Sequence, residues 1–280
     1  MSFAATNAPY DTWAEAYRDW WGPILAPWSV RVLDWFDGSA AGDPILDGAP
    51  FHLVDVGTGT GALAVAALER WPQARVTGVD PAARMLELAA GTARQRGSGF
   101  AERLDLLVGS ADRLPLPDAS VDVAVSSFVI QLAPSRAAAL REIARVVRPG
   151  GRFACLTWQA DSLTFEPDDA FMLAVDELDL ELPPLDGHSR PYPSPGAAAR
   201  ELRRAGFVEA RAETVWLEHR YTPESYLGVL ERWSEAELFE GLGPRLRLRL
   251  RSEALRRMRA VPREAFVWRR PLVSVVGRRR

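Results

Sequence analysis

Between residues 51 and 158, short apolar runs alternate with amphipathic stretches, the rhythm of strand and helix. It predicts strands at Phe51–Val56, Arg75–Val79, Leu104–Val108, Val121–Ser126 and Arg152–Trp158, with helices at Ala62–Arg70, Ala82–Gln95 and Ser135–Val147. Pro72 stops the first helix, and Pro149-Gly150-Gly151 stops the last. Strands joined by helices of this length require right-handed crossovers and a parallel sheet. Residues 159–193 interrupt the rhythm with an acidic, proline-punctuated insert. It resumes at Ser194-Pro195, an N-cap and first helical residue, with a helix over Ala197–Ala205, Gly206 as its C-cap and a strand over Phe207–Leu217. Residues 222–260 are predicted helical. The Arg-Leu alternation over 245–251 has a period of two, but Pro244 and Ser252-Glu253-Ala254-Leu255 favour helix there. Ala265–Val276 is predicted as a final strand, paired antiparallel.

Ahead of the sheet, residues 9–37 hold Tyr10, Trp13, Tyr17, Trp20, Trp21, Trp28, Trp35 and Phe36. Trp13, Tyr17, Trp20 and Trp21 fall at i, i+4, i+7 and i+8, one helix face, and Gly22-Pro23 is predicted to end that helix. A second amphipathic stretch runs from about Ala26 to Phe36. The pattern thus divides the chain into an aromatic helical cap at 1–45 and a core at 46–280, with cap-forming inserts at about 159–193 and 218–262.

Composition narrows the class. The chain has 280 residues, of which 48% are hydrophobic and 25% charged, enough for a packed core. No apolar run approaches the ~20 residues of a membrane span. Met1–Tyr10 lacks the basic and apolar regions of a secretory signal, and Cys155 is the one cysteine, so a cytoplasmic enzyme or binding protein is expected. All 34 basic residues are arginine, which excludes any lysine Schiff-base or P-loop lysine chemistry. From Gly241 to Arg280 there are 13 arginines and 2 glutamates, whereas the insert is acidic. These segments are expected to face each other within the fold or across a homodimer, rather than to bind nucleic acid.

The informative segment is Val54-Asp55-Val56-Gly57-Thr58-Gly59-Thr60-Gly61. Glycines at alternate positions follow a strand and open a helix, where the backbone turns tightly and a ligand can approach without a Cβ in the way. A dinucleotide fingerprint needs Gly-x-Gly-x-x-Gly. The spacing here differs, and Asp55 just ahead of the loop suits a cationic amino group better than a pyrophosphate. Asp80 ends the second strand, 19 residues after Gly61, where a carboxylate can accept both hydroxyls of a ribose. Gly109-Ser110-Ala111-Asp112 follows the third strand, and Asp112 can accept from an adenine amine.

With these residues in order, the chain resembles the class I S-adenosylmethionine-dependent methyltransferases, in particular the ubiquinone/menaquinone-type and natural-product small-molecule members. The motif series covers about residues 51–158. The resemblance implies a Rossmann-like α/β fold of seven strands in the order 3-2-1-4-5-7-6, the last antiparallel, with helices on both faces. It implies S-adenosylmethionine as cofactor and S-adenosylhomocysteine as product. Asp55 and Gly57 would hold the methionine end, Gly59 and Gly61 would allow close approach, and Asp80 would bind the ribose. Pro81 or Met85 would flank the adenine, Ala111 and Asp112 would read its edge, and Ser126 and Ser127 would line the methionine side.

The expected reaction is methyl transfer to a small, apolar or aromatic acceptor through an O-, C- or N-nucleophile, by in-line displacement and with no metal. Tyr17, Trp21 and Trp158 are expected on the substrate side. His188 and His219 are the candidate bases; His52, at the start of the first strand, reads as structural. Gln131 stands where members of the group often carry a histidine, and can orient an acceptor but not deprotonate it. The competing readings are a cofactor-binding relative that acts as a cyclase or binding protein, an RNA methyltransferase using the C-terminal arginines, and an NAD-dependent oxidoreductase, which the glycine spacing disfavours.

Overall fold

The structure, a computed structural model, describes residues 7–36, 48–183 and 189–280. Seven strands form one sheet: β1 (Phe51–Val56), β2 (Ala74–Asp80), β3 (Leu104–Val108), β4 (Val121–Ser127), β5 (Val147–Trp158), β6 (Phe207–Arg220) and β7 (Val267–Arg279). Their order is β3-β2-β1-β4-β5-β7-β6. β1 to β5 are parallel, and β7 runs antiparallel to both β5 and β6. Both faces of the central strands β1, β2 and β4 are covered, so β1 and β4 read as largely apolar runs, whereas the edge strands β3 and β6 are largely half-buried or exposed. Phe51 and Leu53 point to one core with the helix Ala62–Arg70, and Val54 and Val56 to the other with the helices Arg136–Val146 and Pro195–Arg204. The register aligns Asp55 with Gly78 on one side and Val125 on the other, so the loops after β1, β2 and β4 open along one edge.

The N-terminal aromatic segment departs from the pattern. Gly22-Pro23 does not end the helix. A π-turn over Tyr17–Trp21 closes with the Gly22 N–H donating to the Tyr17 carbonyl, and Pro23 then occupies the first turn of the helix Gly22–Ser29, where its missing N–H costs nothing. A 3-10 run over Val30–Phe36 follows. The single aromatic face is also split. Trp21 is buried, whereas Trp20 packs on Gly228 and lies under the Arg232 guanidinium at 4.5 Å.

The acidic insert contains an unforeseen helix, Glu166–Glu177, with Pro167 and three acids in its first turn, where the helix dipole favours them. Its buried Phe171 stacks on Phe239 at 6.2 Å. At its C-terminal end Glu177 pairs with Arg257 of the helix Pro244–Met258, so insert and basic tail meet within the chain. The Arg-Leu stretch is helical, with Leu250 buried and Leu248 on the outer face. Among the described residues, no helix is long and apolar enough to cross a membrane. Phe171→Ala should cost about 3–5 kcal/mol in denaturant unfolding, because Phe171 belongs to the main core; a loss below about 1 kcal/mol would mean that the insert merely rests on the fold.

Candidate active site

The loop after β1 is built by three left-handed glycines, with φ of +75° at Gly57, +53° at Gly59 and +83° at Gly61. Each has a separate reason to be glycine. A Cβ on Gly57 would lie 2.2 Å from Val129 Cγ2, and one on Gly61 would lie 3.0 Å from Ala89 Cβ. A Cβ on Gly59 meets no atom within 4 Å, because Gly59 borders a cavity. The Gly57 and Thr58 N–H groups both donate to the Val79 carbonyl, at 2.7 and 3.0 Å. Asp80 completes the tie, with Oδ2 accepting from Gly59 N at 2.9 Å and Oδ1 from Ala82 N at 2.9 Å.

The cavity, counted with the open solvent at its mouth, spans about 1300 Å³. Its floor is the glycine loop with Asp55 and Asp80, and Pro81, Met85, Ala111 and Asp112 form one end. Tyr10, Tyr17 and Trp21 of the N-terminal segment and Phe128, Gln131 and Trp158 of the sheet edge form the other walls. Trp158 packs on Phe128 at 4.9 Å and on Trp21 at 6.5 Å. Phe128 holds a φ of +57°, a strained conformation for a bulky residue at the end of β4.

Both carboxylates on the floor are buried. Burial pushes Asp55 up to about 7, against the opposing bond from Thr58 Oγ1 at 2.8 Å. Burial also pushes Asp80 up to about 6, opposed by the N–H groups of Ala82 and Gly59. Burial raises the hydroxyls of Tyr10 and Tyr17 well above the usual range, so both are neutral at physiological pH.

Most of the expected residues meet at this cavity: Asp55, Gly57, Gly59, Asp80, Pro81, Met85, Ala111, Asp112, Ser127, Tyr17, Trp21, Gln131 and Trp158. Gly61 and Ser126 do not line it. Gly61 lets the helix Ala62–Arg70 approach Ala89, and Ser126 Oγ donates to the Val56 carbonyl at 2.8 Å, tying β4 to β1. The buried Ser127 Oγ has no hydrogen-bond partner among the described residues. His219 lies on β6 away from the cavity, its ring 4.4 Å from that of Tyr221, and burial lowers its pKa. His188 is outside the described residues. His52 is structural, with Nε2 2.8 Å from Thr77 Oγ1 and its N–H donating to Asp122 at 2.6 Å. Gln131 is a fixed element: its amide N donates to the Phe128 carbonyl at 2.6 Å and its Oε1 accepts from the Thr157 hydroxyl. Sequence reasoning missed Thr58, Tyr10 and Phe128. Only Thr58, three residues after Asp55 and inside the loop, carried a local signal.

Comparisons with known proteins agree with this geometry. Residues 54–155 match a family model described as a methyltransferase domain. A ubiquinone/menaquinone biosynthesis C-methyltransferase of Methylobacterium nodulans is 37% identical over 172 residues, 57% of this chain and 66% of that protein. The chain therefore spans just under two thirds of this relative's length. A malonyl-[acyl-carrier protein] O-methyltransferase of Methylococcus capsulatus is 30% identical over 223 residues, 79% of this chain and 70% of that protein. In fold, a structure from Thermotoga maritima described as a possible histamine N-methyltransferase aligns with a TM-score of 0.54 at 18% identity, covering 98% of this chain and all of its own. The chain belongs to the class I S-adenosylmethionine-dependent methyltransferases.

The residues present fit that cofactor. The floor offers an acid beside a cradle that a Cβ at Gly59 would enter, and Asp80 keeps unused lone pairs on both oxygens. Two outcomes follow. A carboxyl whose pKa is raised on folding stabilises the fold at low pH and loses that contribution as pH rises through the folded value. The ligand-free protein should therefore lose melting temperature between about pH 4 and 7, and Asp55→Asn should flatten the slope; an unchanged slope would show that Asp55 is not the titrating group. Gly59→Ala should cost about 1–2 kcal/mol of stability for its backbone conformation alone, yet weaken S-adenosylhomocysteine binding at least about tenfold. Gly57→Ala should destabilise more, through the collision with Val129, as thermal unfolding of the two variants will show.

Proposed function

We propose that this chain transfers the methyl group of S-adenosylmethionine to a small-molecule acceptor whose reacting part is apolar or aromatic. The observation that carries the reading is one cavity with a glycine-and-carboxylate floor and an aromatic wall of Tyr17, Trp21, Phe128 and Trp158. When bound, S-adenosylmethionine supplies a methyl group on a positively charged sulfonium, already activated for displacement. Asp55 would hold the ammonium of the methionine end, and a cation there keeps its carboxylate ionised near neutral pH. Asp80 would accept from the ribose, and Ala111 and Asp112 would meet the adenine edge.

The aromatic wall excludes water and fixes the acceptor plane for in-line attack. Gln131, held at both ends of its amide, keeps the Phe128 turn in place and presents its remaining N–H and lone pair to the acceptor. No histidine among the described residues lines the cavity, and Tyr10 and Tyr17 are neutral, which supports an acceptor that is acidic enough by itself or needs positioning only. The relatives are a C-methyltransferase of ubiquinone/menaquinone biosynthesis and an O-methyltransferase of malonyl-[acyl-carrier protein] by their names, which supports an O- or C-nucleophile here.

Calorimetric titration should show one S-adenosylhomocysteine site per chain, lost in Asp80→Ala. A screen of quinols and phenols should release S-adenosylhomocysteine with the native protein only. Absence of binding to the folded native chain would overturn the reading, and binding with no turnover on any acceptor would favour the non-methylating alternative.

A further inference from the structure

Pro134 lines two hollows. One is the main cavity; the other is a cleft of about 830 Å³ between the start of the helix Arg136–Val146 and the end of the helix Pro195–Arg204. The cleft is lined by four arginines (Arg136, Arg141, Arg190 and Arg204) against one acid, Glu201. Arg136 is the paired member. Its guanidinium donates to both oxygens of Glu201 at 2.6 and 2.8 Å and to the Arg190 carbonyl at 2.5 Å, and it lies 4.0 Å from the Tyr192 ring centre. Among the described residues, no carboxylate pairs with Arg141, Arg190 or Arg204. Three arginines without an ion pair among the described residues thus line one concavity. The positive end of the helix Arg136–Val146 and the negative end of the helix Pro195–Arg204 both face the cleft, so the guanidiniums set its sign. The cleft is also joined to the reaction cavity through the backbone, since the Arg190 N–H donates to the carbonyl of Gln131 at 3.0 Å.

We propose that this cleft binds a phosphoryl group carried by the methyl acceptor, so that the acceptor spans Pro134 with its reacting end against the aromatic wall. Guanidinium forks match phosphoryl oxygens in pairs, and three uncompensated cations suit a dianion better than a single carboxylate. The concave shape and the shared Pro134 favour a small molecule that reaches both hollows. The acceptor assignment rests on the methyl-transfer reading; the anion site itself rests on the cleft alone.

The test is calorimetric titration of the full chain with S-adenosylhomocysteine, inorganic phosphate, 1-naphthol and 1-naphthyl phosphate. The phosphorylated naphthalene should bind at least about tenfold more tightly than 1-naphthol. The exposed-residue variant Arg141→Gln/Arg204→Gln should erase that gain while leaving 1-naphthol and S-adenosylhomocysteine binding unchanged. The matched variant Arg94→Gln/Arg263→Gln, which removes the same charge elsewhere, should keep the gain. No advantage for the phosphoryl compound, or an equal loss in the matched variant, overturns the proposal. Phosphate binding that Arg141→Gln/Arg204→Gln removes, without any gain for naphthyl phosphate, identifies a free-anion site and overturns the acceptor assignment. Failure of S-adenosylhomocysteine alone to bind overturns the methyl-transfer reading and leaves the cleft to be judged by the phosphate titration.

Discussion

The site depends on a buried tie between the glycine loop and the end of β2. Asp80 holds the N–H groups of Gly59 and Ala82, and the Val79 carbonyl takes those of Gly57 and Thr58. Three backbone donors of a loop with three positive-φ residues, and that of Ala82 after β2, are thereby satisfied at the edge of a parallel sheet. Two buried carboxylates, Asp55 and Asp80, stand beside that tie with raised pKa values. Burying two acids without a cation opposes folding, so the rest of the sheet must hold the floor in a form that a cationic, hydroxyl-bearing ligand completes. The parallel register makes this arrangement possible by setting the ends of β1, β2 and β4 side by side.

Above the floor, the cap provides the apolar half of the cavity. Trp21 sits between Trp158 and Trp268, at ring separations of 6.5 and 5.5 Å, and so joins the N-terminal segment to β5 and β7. Tyr17 meets Trp233 at 5.3 Å, bringing in the segment after β6. The helix of the acidic insert supports the same assembly from behind through Tyr226, whose hydroxyl donates to Asp168 at 2.7 Å. The N-terminal segment and the sheet edge thus make the wall, with the segment after β6 packed behind Tyr17. Under the proposed reading the floor serves the cofactor and the wall serves the acceptor.

The central strands were legible because both of their faces are buried, so apolar runs marked them closely, whereas β5 begins at Val147, five residues before the expected Arg152. The loop and its two acids were legible from spacing, since Asp55, Gly57, Gly59 and Asp80 occupy positions that strand and helix lengths dictate. Gly61 and Ser126 show the limit of that logic. Both lie beside cavity residues in sequence, yet their work is packing and strand-to-strand bonding. His219 fails for a related reason: strand alternation and the antiparallel pairing to β7 carry it away from the cavity, which sequence proximity to the cap does not reveal. The π-turn at Tyr17–Trp21 and the positive φ of Phe128 had no local signal, because both are set by tertiary contact. The insert helix did leave a trace, in Pro167 and the spacing of Phe171, Ala174 and Val175, hidden under its acidic composition.

The most direct test of the central claim, that a single cavity holds cofactor on its floor and acceptor against its wall, is a crystal structure with S-adenosylhomocysteine bound. The account predicts the ligand along the glycine loop, its amino-acid end at Asp55, its ribose at Asp80 and its sulfur facing Phe128 and Trp158. Ligand bound elsewhere, or a ribose that does not meet Asp80, would contradict it.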